Sequence, residues 1–234
     1  MLELIIFIII SLTALIVLKY IMGINIKKIK ELAERVDLDE LTKDLPDAET
    51  ITKCMLKKLN NTDVKVTKML DEKTGTSLYL VMTNTISLGN MENKYARVQT
   101  IAHECLHSVQ SKTMLWFNFI FSNIYIVYFY VSIVLTVIGI FKNTTLQLLI
   151  LLFLGFIQYV VRAHLENDAM TKAWYLAKEY LEETELSKET IKTLINSYKE
   201  INKQAIPMTN FQLFSQIIGK SIFYSIIALI LWNI

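Results

Sequence analysis

Four long stretches of the chain are almost wholly apolar, and they restrict the possible folds more than any other feature. They are residues 2–22, 114–141, 146–161 and 211–232. A helix needs about 20 apolar residues to cross the hydrocarbon layer of a bilayer. The chain has 234 residues, of which 53% are hydrophobic, and this share is also typical of a membrane protein. The sequence therefore predicts a mainly α membrane protein with about four transmembrane helices.

The polar segments between these stretches define the predicted domains. Residues 1–22 form a transmembrane anchor, 114–162 a transmembrane hairpin and 207–234 a C-terminal transmembrane helix, whereas 23–113 and 163–206 are polar. Three lysines follow the anchor, at positions 27, 28 and 30, but the hairpin loop 142–145 carries only one. Positive residues accumulate on the cytoplasmic side of membranes, so both polar segments are expected there. Lys220 interrupts the last stretch and is expected either to reach the lipid surface or to face protein.

The first polar segment contains a change from helical to strand-like patterning. Residues 64–68 alternate, and residues 77–82 and 84–88 are rich in β-branched and aromatic side chains. Turn-forming residues at 71–75 and 89–90 separate these runs, which predicts a short antiparallel sheet of two or three strands. A helix is expected near residues 48–59 after Pro46, and another from Ser187 to about 203, ended by Pro207.

A helix predicted to begin near residues 90–93 carries the sequence His103-Glu104-x-x-His107. Residues four apart on a helix project from the same face, so both imidazoles can bind one Zn²⁺. Glu104 lies beside them, where a carboxylate can act as general base toward a water molecule. The sequence therefore predicts His103 and His107 as zinc ligands and Glu104 as the catalytic residue.

A catalytic zinc site needs a third protein ligand and an open position for water. The predicted hairpin returns the chain to the side of His107 near Arg162, just before the sequence His164-Leu165-Glu166-Asn167-Asp168. His164, Glu166 and Asp168 all carry groups that can bind zinc. Side chains two residues apart project from different sides of a helix, so the residues alone leave the choice open.

These motifs resemble a known family. His103-Glu104-x-x-His107-x-x-Gln110, a membrane hairpin, and Glu166-x-Asp168-Ala169 followed by a basic residue and Ala173 are similar to the YugP-type membrane zinc metallopeptidases. These are gluzincins distantly related to HtpX and the CAAX prenyl proteases. The resemblance implies a zincin-like α+β cytoplasmic domain, a bacterial plasma membrane location and Glu166 as the third zinc ligand.

The predicted function is that of a zinc-dependent membrane endopeptidase with one Zn²⁺, acting on membrane-bound or membrane-proximal peptide substrates. His164 and Tyr175 are candidate oxyanion donors, and Asp168 is expected either to orient a ligand histidine or to pair with Lys172. The resemblance also implies a substrate-binding edge strand, whose candidate residues are Leu78, Tyr79, Leu80, Val81, Ile86 and Leu88.

Composition limits the other classes of function. The net charge is +2, so no nucleic-acid partner is expected, and the bilayer and peptide substrates are the expected partners. With Cys54 and Cys105 as its two cysteines, the chain offers no disulfide framework. The alternative function is that of a non-catalytic membrane or partner-binding protein stabilised by zinc, which would have no need of Glu104.

Overall fold

The computed structural model describes residues 2–69, 76–91 and 94–232, and this part of the chain is mainly helical with one small sheet. The predicted turn at 71–75 lies outside the described residues. The elements in chain order are α1 (Leu2–Ile21), α2 (Ile26–Ala33), α3 (Val36–Leu41), α4 (Ala48–Lys58), β1 (Lys65–Lys68), β2 (Leu78–Leu80), β3 (Thr85–Leu88), α5 (Arg97–Val109), α6 (Lys112–Val137), α7 (Thr144–Leu181) and α8 (Lys188–Trp232).

The chain forms two compact units. The first unit contains residues 1–24, 116–164 and 207–234, and the second contains residues 25–115 and 165–206. In the described part of the chain, four helices are long and apolar enough to cross a membrane: α1, α6, α7 and α8. These helices indicate a membrane protein, and they coincide with the four apolar stretches of the sequence.

The first unit has a core that contains buried tyrosines. Tyr125, Leu151 and Tyr224 are fully buried, and the Tyr224 hydroxyl lies 3.0 Å from the hydroxyl of Thr136. Lys220 lies with its ammonium group 4.8 Å from the centroid of the Tyr125 ring. An ammonium group over an aromatic face is attracted by the electrons of the ring, so Lys220 faces protein at this contact.

Pro207 lies inside α8, so the prediction that it ends a helix is wrong. Proline removes one backbone donor and crowds the carbonyl four residues earlier, at a cost of about 3 kcal/mol or more. Helix-forming sequence on both sides of residue 207 outweighs this cost. The prediction that Ser187 begins this helix is confirmed. The Ser187 hydroxyl accepts a hydrogen bond from the Thr190 N–H at 3.1 Å and so caps the N-terminus of α8.

The sheet of the second unit is mixed, and the prediction of an antiparallel sheet is wrong in part. Its strand order is β1-β3-β2, with β1 parallel to β3 and β2 antiparallel to β3. A four-residue turn at 81–84 joins β2 to β3, as in other hairpins. Strands β1 and β2 lie on opposite sides of β3, and the pairing of β1 with β3 has no local sequence signal.

Helix α5 lies at the centre of the second unit. Val98, Ile101, Ala102 and Cys105 are completely buried at helical spacing, and they belong to one apolar cluster with residues of α4, the sheet, α7 and α8. The helix begins at Arg97, later than predicted. Before it, the backbone N–H of Tyr95 donates to Asp39 at 2.8 Å, outside any helix.

A buried polar network connects α5 to two other helices of the second unit. The side-chain amide of Gln99 donates to Asn202 at 2.6 Å, and the Asn202 amide donates to the Met170 carbonyl at 2.6 Å. The rings of Tyr95 and Tyr198 stack nearby, with their centroids 5.9 Å apart. Buried polar groups that are fully bonded in this way specify one arrangement of the helices.

Candidate metal centre

The two histidines of the motif occupy the face of α5 that is turned away from its core positions. Residues 98, 101, 102 and 105 point into the core, whereas His103 and His107 follow one another on a partly exposed face. Their ring centroids lie 4.5 Å apart and their planes are nearly perpendicular. This arrangement directs one nitrogen of each ring toward a common point, since the two Nε2 atoms are 3.0 Å apart.

Glu166 of α7 completes a group of three potential ligand atoms. Its Oε2 lies 3.5 Å from His103 Nε2 and 3.6 Å from His107 Nε2. Ala169, Ala173 and Ala177, on the same side of α7, are buried in the core and allow a close approach of this helix. Among the three predicted candidates for the third ligand, Glu166 is the one that the structure brings to both histidines.

The geometry of this group fits a zinc ion. Ligand atoms of a tetrahedral zinc site, with bonds of about 2.0–2.1 Å, lie about 3.3–3.4 Å from one another. The three separations of 3.0, 3.5 and 3.6 Å lie close to this value. The three separations are therefore compatible with the edges of a tetrahedral coordination site.

Glu104 is buried beside the two histidines and is held from the sheet. Its exposed fraction is 6%, and its Oε2 accepts a hydrogen bond from the backbone N–H of Tyr79 at 2.7 Å. Burial raises the pKa of Glu104 above its ordinary value, although the neighbouring imidazoles and the Tyr79 N–H act in the opposite direction. A buried carboxylate with a raised pKa, fixed by one donor, is suited to accept and release a proton.

His107 is the less exposed of the two histidines, and it also contacts Gln110. Burial alone would lower its pKa, but the carboxylates of Glu166 and Glu104 and the contact with Gln110 outweigh burial and raise it. Its Nδ1 lies 2.8 Å from the Oε1 atom of Gln110. Gln110 caps the C-terminus of α5 with an extended backbone, and its side chain turns back toward the histidine three residues earlier.

Asp168 makes one of the two contacts that the sequence left open, the pair with Lys172, and it contacts Gln110 instead of a ligand histidine. One carboxylate oxygen accepts a hydrogen bond from the Gln110 amide at 3.1 Å, and the other lies 2.5 Å from the Lys172 ammonium group. Asp168 therefore reaches His107 through Gln110 and pairs with Lys172 at the same time. The sequence motif included Gln110, but its contact with His107 was not predicted. The one signal for this contact in the sequence is that Gln110 follows His107 by three residues.

The two predicted oxyanion donors are not brought to the ligand group. The His164 side chain is exposed, and Tyr175 has an exposed fraction of 53%. Tyr175 follows Glu166 by nine residues, which is two and a half turns of helix, and so projects from the opposite side of α7. There it lines a groove of the second unit together with Trp174 and Lys178.

The predicted substrate strand is divided by the structure into three parts. Leu78, Tyr79 and Leu80 form β2, which is an outer strand of the described sheet, whereas Val81 lies in the turn. The remaining two predicted residues, Ile86 and Leu88, are buried on β3, which lies between β1 and β2. Both edges of β3 are paired with neighbouring strands, so placing Ile86 and Leu88 on an edge strand was wrong.

Comparisons with protein-family models, with curated protein sequences and with solved structures found no match. The resemblance to membrane zinc metallopeptidases therefore stays a prediction. Any proposal about function therefore depends on the three potential ligand atoms and on Glu104 beside them.

Proposed function

We propose that the protein is a zinc-dependent membrane endopeptidase. The observation that carries the proposal is the triangle formed by His103 Nε2, His107 Nε2 and Glu166 Oε2, with the buried carboxylate of Glu104 beside it. Two imidazoles and one carboxylate are a donor set of catalytic zinc sites and leave a fourth position open. A purely structural zinc site has four protein ligands in most cases, and here the three ligand atoms come from two helices.

The chemistry proposed for the site is hydrolysis of a peptide bond. Bound zinc supplies a Lewis acid that polarises a carbonyl group and lowers the pKa of water to about 7. Glu104 removes a proton from the attacking water and delivers it to the nitrogen of the leaving amine. Its raised pKa favours the first of these transfers, and the hydrogen bond from Tyr79 holds its carboxylate in one orientation.

The outer edge of β2 is the proposed binding surface for the substrate backbone. Tyr79 is paired with Ile86 of β3, but its N–H points to Glu104 instead of to β3. In an antiparallel pair, residues that do not bond to the neighbouring strand direct their N–H and C=O groups to the free edge. An extended peptide added along this edge would lie next to the general base.

The proposed location of the site is the cytoplasmic side of a bacterial plasma membrane. Three lysines follow α1, whereas the loop between α6 and α7 carries only Lys142. Helix α6 begins three residues after the end of α5, so the chain that holds the histidines continues directly into a candidate membrane span. Peptide segments close to a membrane surface are therefore the proposed substrates.

The test uses the purified full-length protein and a Glu104→Gln variant, with Glu185→Gln as a control at an exposed loop position. We expect one zinc ion per chain in all three proteins. Cleavage of a quenched fluorescent peptide library in lipid vesicles should fall by at least about 100-fold only in Glu104→Gln. Equal zinc content with equal cleavage in all three would support the non-catalytic alternative, and a wild-type protein without zinc would refute the proposal.

A further inference from the structure

The side-chain amide of Gln110 has hydrogen-bond partners at both ends. Its Nε2 lies 2.8 Å from the Leu165 carbonyl oxygen and 3.1 Å from a carboxylate oxygen of Asp168. Both partners are acceptors, so this end of the amide has to be the NH₂ group. Its oxygen is consequently the atom that faces His107 Nδ1, at 2.8 Å. The orientation of the amide follows from its contacts and leaves no equivalent alternative.

This orientation determines which nitrogen of His107 carries the proton. An amide oxygen can only accept a hydrogen bond, so Nδ1 of the neutral imidazole has to be the donor. The lone pair is then on Nε2, the atom that lies 3.0 Å from His103 and 3.6 Å from Glu166. The ring presents to the ligand group the one nitrogen that is able to bind a metal ion.

The acceptors that hold Gln110 come from the same turn of α7 as the third ligand. Leu165 and Asp168 flank Glu166, and Asp168 is itself paired with Lys172 at 2.5 Å. One turn of helix therefore supplies a ligand atom directly and orients a second ligand through Gln110. A displacement of this turn would disturb the position of Glu166 and the tautomer of His107 together.

We infer that Gln110 is a positioning residue that locks His107 in the Nδ1–H tautomer and so prepares the site for metal. The inference rests on the metal centre of the proposed function, but the tautomer of the neutral ring can be measured on the metal-free chain. Neutral imidazole in water exists as a mixture of tautomers, and a ligand that has to change tautomer binds metal more weakly. Loss of such an outer contact lowers metal affinity by about 10- to 100-fold.

The experiment compares wild type with Gln110→Met, which keeps the length of the side chain and removes both of its hydrogen-bonding groups. Gln212→Met is the matched control, because it makes the same exchange at an exposed position of α8 that lies outside the ligand group. The chain has three histidines, so long-range ¹H–¹⁵N spectra of metal-free protein with labelled histidine can be assigned with two single variants. Zinc affinity is measured by competition with a chromophoric chelator.

We expect His107 to carry its proton on Nδ1 in wild type and in Gln212→Met. In Gln110→Met the Nε2–H tautomer should appear and zinc affinity should fall by about 10- to 100-fold. A wild-type His107 with its proton on Nε2, or an unchanged tautomer and affinity in Gln110→Met, would overturn the inference. If wild type binds no zinc but holds the Nδ1–H tautomer through Gln110, the proposed function fails and the inference about the tautomer stands.

Discussion

The backbone N–H of Tyr79 donates a hydrogen bond to the carboxylate of Glu104 across 2.7 Å. This contact joins an outer strand of the sheet to the helix that carries the two histidines. Because the donor belongs to the backbone, the identity of the side chain at position 79 matters less than the register of β2. A shift of β2 by one residue would direct this N–H to β3 and leave the buried carboxylate without its donor.

A first prediction follows from this contact. Tyr79→Pro removes the N–H but leaves the rest of the strand on the outer edge, where proline is tolerated. We expect peptide cleavage to fall by about 100-fold or more while zinc content stays near one ion per chain. Tyr79→Val is the control, since it keeps the N–H but, like proline, lacks the ring and the hydroxyl that donates to Asn84 at 2.8 Å. Equal cleavage by the proline and valine variants would show that the N–H has no role.

A second prediction concerns the third ligand. Glu166→Ala leaves two histidines, and a site with two protein ligands is weak, so the variant should lose most of its zinc. His164→Ala should keep its zinc, because the His164 side chain is exposed and stands outside the group of three ligand atoms. Metal content is measured on the purified variants by elemental analysis. Zinc that persists in Glu166→Ala but disappears from His164→Ala would contradict the ligand assignment.

Local patterns were sufficient to predict the membrane helices and the face of α5. Apolar stretches of about 20 residues have few alternatives to a membrane span, and a four-residue spacing of His103 and His107 specifies one helix face. Glu166 was predicted from the resemblance to a family, and the structure brings its carboxylate to the two histidines. Each of these predictions depended on residues that are close in the sequence or on a motif.

The predictions that failed depended on relations between distant residues or on helical phase. Nothing local distinguishes a strand at the centre of a sheet from one at its edge, so Ile86 and Leu88 were assigned to the wrong strand position. Tyr175 could have been excluded from the sequence, since nine residues place it half a turn away from Glu166. Pro207 illustrates a third case, in which a long helix outweighs a local breaking signal.

A third prediction tests the orientation in the membrane. Cysteine replaces Asn143 in the α6–α7 loop, in a Cys54→Ser background that removes the exposed native thiol. Cys105 can remain, because it is fully buried and burial raises the pKa of its thiol, so it should not react. We expect an impermeant maleimide added outside intact cells to label Asn143→Cys.

The control for this experiment is Glu185→Cys, at an exposed position between α7 and α8. It should be labelled only after the membrane is opened, since α7 separates the two positions by one candidate span. The reverse labelling pattern would place the ligand group outside the cytoplasm. It would then contradict the proposed location without affecting the proposed metal chemistry.

The fourth prediction uses two glycines with different surroundings in the membrane-spanning unit. A Cβ atom at Gly155 of α7 would lie 2.9 Å from the Tyr125 hydroxyl and would also collide with Ile217. Because the hydroxyl belongs to a fully buried ring, the neighbours cannot move away freely. Gly155→Ala should therefore destabilise the protein by about 1–3 kcal/mol, the usual cost of overfilling a packed interface.

Gly219 of α8 is the matched control, because no described atom outside its chain neighbours and the nearby backbone of its own helix lies within 4 Å of its Cβ position. Alanine is favoured over glycine inside a helix by about 0.5–1 kcal/mol, so Gly219→Ala should be neutral or slightly stabilising. Thermal unfolding of both variants in detergent, followed by size-exclusion of the remaining folded protein, measures the difference. If Gly155→Ala unfolds at the same temperature as Gly219→Ala or above it, then α7 and α8 do not pack through Gly155 and Ile217.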